Sequence, residues 1–221
     1  MHTYVRSLQR ICSNYAPSRV ISFNMMHVFK TLQLIKIRGH TSRNLLSKEL
    51  GLGEGAIRTL IRHLQMHKMI TANNSGTKMT EKGDALLTEL LSSIPAEMSL
   101  PKCSIALGKF NYVVLLKQHS HAIKSGIEQR DAAIKIGAKG ATTLLFKESK
   151  FVMPSNTDFD SLHKEPEIFT LLTKRLNPEE GDAIIIGSDD IHKKRSEFAA
   201  KSAALLTIMS HEKHNDHSLS G

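Results

Sequence analysis

Ser42-Arg43-Asn44-Leu45-Leu46-Ser47-Lys48-Glu49-Leu50-Gly51-Leu52-Gly53-Glu54-Gly55-Ala56-Ile57-Arg58-Thr59-Leu60-Ile61-Arg62-His63-Leu64 reads as two short helices joined by a glycine-containing turn. Gly51 suits the positive φ that ends the first helix, since it has no Cβ to clash there. Leu52 is placed to plug the junction between the helices. In the second helix Ile57, Leu60, Ile61 and Leu64 fall at i, i+3, i+4 and i+7, the spacing of one buried stripe. The opposite face then carries Gly55, Arg58, Thr59 and Arg62. Arg58 and Arg62, four apart, project from the same side. A small residue near the helix start lets the helix sit deep in a major groove, and arginines there contact guanine edges or phosphates. The plainer reading of this segment alone is an amphipathic hairpin with a solvated basic face.

The flanks favour the nucleic-acid reading. Upstream, Phe23, Met26, Val28 or Phe29, Leu32 and Ile35 recur at helical spacing, and Gly39 marks a stop. Downstream, Met69 to Ala72 and Thr77 to Thr80 enclose the turn residues Asn73-Asn74-Ser75-Gly76, a short β-hairpin. A helix from Glu81 to about Ser93 follows, with Thr80 as its cap. Three helices and a hairpin in this order predict a winged helix-turn-helix over residues 22–95, its recognition helix at about 54–68. The residues expected at DNA are Ser42, Arg43, Gly55, Arg58, Thr59, Arg62 and, on the wing, Lys78. Some winged helices dock proteins instead, so an adaptor of the transcription machinery is the alternative.

The run from Leu50 to Arg62, followed by Thr80-Glu81-Lys82-Gly83, resembles archaeal winged helix-turn-helix transcription regulators. The layout as a whole is similar to an archaeal group with such a head and a C-terminal domain of unknown function. The resemblance implies a DNA-reading head and a second domain that senses a ligand or mediates assembly.

Charge agrees with that division. Residues 1–95 hold 13 Lys and Arg against 5 Asp and Glu, whereas the remainder holds 17 against 16. Nearly all of the net +9 therefore sits in the head, as expected of a domain that meets a polyanion. Residues 1–21, with Pro17 and Ser18 as breakers, read as a loose arm. Pro95 and Pro101 bracket a linker at 96–103. In residues 104–210, strand candidates (113–116, 142–146, 151–153, 183–186) alternate with helix candidates (127–136, 165–176, 190–209), which suggests a small α/β domain. Residues 211–221 read as a mobile tail. The fold class expected is α+β overall.

Two places in the second half invite a small anionic ligand. Arg130 and Asp131 interrupt a helix that leads into Lys139 and Gly140, where free backbone N–H groups and Arg130 suit an anion. Ser188 and Asp189 follow a strand, where ligands often sit, but they also read as the cap of the helix that follows. The 12 histidines include His119 and His121, and His211, His214 and His217, but neither set has a matched Cys or carboxylate partner at zinc spacing, so no metal and no cofactor is expected. Cys12 and Cys103 are read as reduced structural thiols. No catalytic motif appears, and a non-enzyme is expected; an enzyme with its active site in 104–209 is the further alternative. No apolar run is long enough for a membrane span, and the first 20 residues lack a signal-peptide core, so a cytoplasmic location is expected. A homodimer is expected because paired half-sites match a two-fold protein, with the helix at 190–209 as one candidate surface.

Overall fold

The computed structural model describes residues 3–13, 21–73 and 76–217. The chain divides into two compact units at Leu90/Leu91.

In the first unit, helix α2 (Met25–Arg38) opens on a reciprocal cap. The Asn24 side chain accepts the His27 N–H, and the Asn24 N–H donates to His27 Nδ1 at 3.1 Å. Both Val28 and Phe29 are buried, along with Leu32 and Ile35. Helix α3 (Arg43–Leu50) is capped by Ser42, whose hydroxyl accepts the Leu45 N–H at 3.2 Å. Gly51 ends it in the left-handed region at φ 67°. Helix α4 (Glu54–Met66) buries Ile57, Leu60, Ile61 and Leu64 as the spacing predicts. Leu52, expected as the plug between α3 and α4, is half-buried, and its carbonyl accepts the Ser47 hydroxyl.

Strands β1 (Ile70–Asn73) and β2 (Gly76–Met79) form the expected hairpin, paired from Ile70↔Met79 to Asn73↔Gly76. Asn74 and Ser75 at its tip lie outside the described residues. A bridge from Thr41 to Thr77 ties the wing to the start of α3, with the two buried hydroxyls 2.7 Å apart. Helix α5 (Glu81–Ser93) follows, and the Thr80 hydroxyl accepts the Gly83 N–H.

The loose arm expected at 1–21 is, in its described part, a helix. In α1 (Thr3–Ile11) the side chains of Tyr4, Val5, Leu8 and Ile11 are buried. The Ile11 carbonyl lies 2.7 Å from Nδ1 of His63, itself buried on α4 and edge-on to Phe23. The apolar spacing i, i+1, i+4, i+7 is present in the sequence, but the breakers Pro17 and Ser18 point to an arm. Pro17 and Ser18 lie outside the described residues.

Burial pushes the His27 pKa down to about 4. Burial, then the charge of Lys82, pushes His67 the same way. For a histidine whose folded pKa is depressed, the unfolded chain binds more protons between the two values. Stability is then complete above the unfolded value near 6.5 and falls as pH drops toward 4. The first unit is expected to lose about 1–2 kcal/mol between pH 7.5 and pH 5 in urea unfolding. His27→Gln should remove most of that slope, and an unchanged slope would reject the assignment.

The second unit is built on one six-stranded sheet in the order β3-β4-β8-β5-β6-β7: β3 (Glu97–Leu100), β4 (Phe110–Leu116), β5 (Gly140–Lys147), β6 (Lys150–Met153), β7 (Asn156–Asp160) and β8 (Ala183–Asp189). Every pairing is antiparallel. The mixed helix-and-strand composition holds, but helices here do not serve as crossovers between parallel neighbours. β8 is buried throughout because both faces are covered. Helices α6 (Ile127–Lys135) and α8 (Lys193–His217) lie on one face. On the other, α7 (Pro166–Leu176) contributes Leu172 and Leu176 to a core with Leu115, Leu144, Phe151 and Ile184. A Cβ on Gly187 would lie 2.2 Å from the Ser196 carbonyl and 2.5 Å from the Ala200 N, so α8 lies directly on the central strand.

Three sequence expectations change here. Residues 96–103 are not a free linker: Met98 and Leu100 face the core, and the flanking prolines suit an edge strand. The expected dimer surface at 190–209 is interior, with Ala199, Ala203 and Leu205 buried and Phe198 and Leu206 half-buried. The tail expected from 211 continues α8 to His217; residues 218–221 lie outside the described residues.

Candidate nucleic-acid interface

The exposed face of α4 carries Glu54, Gly55, Arg58 and Arg62, with Thr59 half-exposed. The Thr59 hydroxyl donates to the Gly55 carbonyl at 3.0 Å. Arg58 bridges Glu54 one turn back, and both are largely exposed at 63% and 70%. An ion pair that open to water is worth little, so Arg58 is readily released to another partner. A Cβ on Gly53 or Gly55 would meet nothing within 4 Å in the chain. Nothing in the chain around α4 requires small residues there.

Ser42 and Arg43 stand exposed at the start of α3. They line a cleft of about 360 Å³ with Asn44, Thr41, Thr77 and the wing residues Ala72, Asn73 and Gly76. The positive end of the α3 dipole opens here, the polarity that receives a phosphate. Lys78 is exposed on β2. Arg38, His40 and Leu45 border a second cleft beside it, which also takes in Thr41 and Ser42. Arg38 and His40 were not singled out from sequence; a helix end followed by a glycine looks like ordinary punctuation.

In the second unit the six ligand candidates gather near one end of the sheet, where Gly140 pairs with Ser188. Ser188 is buried and donates to Asn111 Oδ1 at 2.8 Å while accepting the Leu107 N–H. Asp189 is buried; its Oδ1 accepts the N–H groups of Ile191 and His192, and its Oδ2 meets Arg195 at 3.4 Å. Burial alone would raise its pKa, yet those N–H groups and Arg195 outweigh burial and hold the carboxyl below its usual range. Asp189 thus organises the β8–α8 turn. Lys139 bridges the exposed Asp190 at 2.7 Å, and Arg130 bridges Asp131 at 3.2 Å, both half-exposed. An apolar cleft of about 550 Å³ runs along α7 past Pro166, Thr170, Leu171, Lys174 and Arg175 and includes none of the six. Among the described residues no group of three or more His, Cys, Asp or Glu is placed to hold a metal ion. Among the same residues, no helix is long and apolar enough to cross a membrane.

A recognition helix, a capped helix before it and a wing bridged to the first turn define a winged helix-turn-helix. Residues 25–94 match the CggR N-terminal DNA binding domain family, and residues 107–208 match a domain of unknown function (DUF4443). The first match covers the helical head with its wing, and the second covers the sheet-bearing unit from just before β4 to well into α8. It is similar in structure to the hypothetical protein PH0730 from Pyrococcus horikoshii OT3, an archaeal protein. The TM-score is 0.65 at 29% identity, covering 87% of this chain and 95% of that one. No curated protein matches.

Proposed function

We propose that the protein is a cytoplasmic transcription regulator that reads double-stranded DNA with α4 in the major groove. Gly55 permits close approach, Arg58 and Arg62 reach base edges or phosphates, and Thr59 lies between them. Ser42 and Arg43 at the start of α3, and Lys78 on the wing, hold the backbone on either side. The observation that carries this reading is the exposed arginine face of α4 beside glycines that nothing in the chain requires. The second unit dimerises the protein so that two heads meet two half-sites. Ligand sensing through Arg130, Asp131, Lys139 and Gly140 has less to support it, because Ser188 and Asp189 are committed to partners within the fold. Nothing in that cluster asks for chemistry on a substrate, and the reading is of a regulator and not an enzyme.

The test is fluorescence anisotropy with a duplex from the protein's own upstream region and a scrambled control, each at about 50 and about 200 mM salt. Preferential binding to the upstream duplex is expected, with affinity falling steeply with salt as counterions return. Equal, salt-sensitive binding to both would remove autoregulation and leave a regulator of other genes. Absence of binding at the lower salt would overturn the DNA reading in favour of the protein-docking adaptor.

A further inference from the structure

Of the seven large hydrophobic side chains left exposed among the described residues, four lie in one neighbourhood of the second unit: Leu107, Ile127, Ile134 and Ile191, between 46% and 70% exposed. Ile127 and Ile134 stand seven apart on α6, on the face turned away from the buried Gln129 and Ala133. Leu107 joins them across Gly140: its Cδ1 and the Cγ of Arg130 lie 3.1 and 3.7 Å from where a Cβ on that glycine would be. Ile191 follows directly on Asp189, which pairs with Arg195, and Arg195 in turn reaches the Gly137 carbonyl just past the end of α6. Clustered exposed apolar side chains with a charged rim mark contact surfaces.

We infer that this α6 face is the homodimer interface, its occupant a second copy of the same face. The inference rests on the reading of the second unit as the dimerising part. Charge selects the occupant. At about 100° per residue, Arg130 falls to one side of the Ile127–Ile134 seam and Asp131 to the other. A two-fold axis running along α6 exchanges the two sides. It sets Arg130 of each copy against Asp131 of the other while the isoleucines meet in the middle. In the single chain Arg130 reaches over to its own neighbour, an exposed pair that is easily exchanged. A partner of one charge sign would repel half of this face; a second copy matches all of it. Residues 96–221 are also almost neutral, so two such units approach without the repulsion that the basic heads carry.

The experiment is sedimentation velocity on the full chain and five preparations: Arg130→Asp, Asp131→Arg, an equimolar mixture of the two, the double exchange, and Ile127→Lys with Ile134→Lys. The parent is expected to be a dimer. Each single reversal sets like charges face to face and should weaken association about tenfold or more. The mixture and the double exchange should restore it. Ile127→Lys with Ile134→Lys should give a monomer with unchanged circular dichroism. A monomeric parent, or dimers that survive every variant, would overturn the inference. Anisotropy on a duplex with one half-site keeps the two readings apart. Monomeric variants that still bind it leave the DNA reading intact, whereas a dimer that binds no duplex fails that reading and leaves this interface standing.

Discussion

Lys201→Ala is expected to destabilise the second unit by about 3–5 kcal/mol, the range for removing one partner of a buried ionic group. Lys201 is wholly inaccessible on α8. Its Nζ lies 2.9 Å from Glu97 on β3 and 2.8 Å from Glu197 one turn back, and 5.9 Å from the centre of the Tyr112 ring on β4. Burial, then the carboxylates of Glu97 and Glu197, pushes the Tyr112 hydroxyl well above its ordinary pKa. Without the ammonium, two carboxylates are left in a poorly solvated place against a ring that offers no positive charge. Lys201→Met separates charge from volume. It fills the space and should still lose most of the stability, whereas Lys201→Met with Glu97→Gln and Glu197→Gln should recover much of it. Urea unfolding of the full chain measures the loss, and hydrogen exchange of β4 and α8 assigns it to this unit. A Lys201→Met chain as stable as the parent would show that packing, not charge, sets the requirement.

That group explains why residues 96–103 were misread. Glu97-Met98-Ser99-Leu100 alternates, but five residues between prolines look like a linker until a lysine about a hundred positions away supplies a partner for Glu97. The head was legible because its signals are local: a serine cap, a glycine stop, a 3.6-residue stripe and turn residues between two short strands. Helix α1 was hidden for the opposite reason. Its four apolar residues acquire meaning only against α2 and the buried His63 of α4, contacts distant in sequence. The alternation of helix and strand candidates in the second half was visible. Strand direction was not, since a buried strand such as Ala183–Ile186 reads the same in a parallel or an antiparallel sheet. The candidate DNA contacts on α4 follow from helix phase, whereas Ser42, Arg43 and Lys78 follow from the cap and the hairpin. Those of the second unit follow from no periodicity: the cap that Asp189 provides could be read from sequence, but the buried Asn111 that holds Ser188 and the Asp190 that holds Lys139 could not.

Changing Arg58 and Arg62 together to alanine is expected to remove sequence-selective binding while leaving the fold intact. Each loses about 1–3 kcal/mol of affinity if it contacts a base edge. The two side chains lie on the open face of α4, away from Ile57, Leu60, Ile61 and Leu64, so circular dichroism and the urea midpoint should hold. The single variants carry the discrimination. Arg58 must first leave Glu54, so Glu54→Gln should tighten binding at low salt, less so at high salt where the pair is already screened. An arginine that meets only phosphate would, on replacement, weaken all duplexes alike and reduce the salt slope by about one. One that meets a base would relax the preference for the upstream duplex with little change in slope. Lys78→Ala on the wing is the built-in comparison, expected to show the phosphate pattern. If the double variant binds as the parent does, α4 does not present this face to DNA. The basic side chains Arg38, His40 and Arg43 around the α3 clefts would then be the next place to look for the duplex.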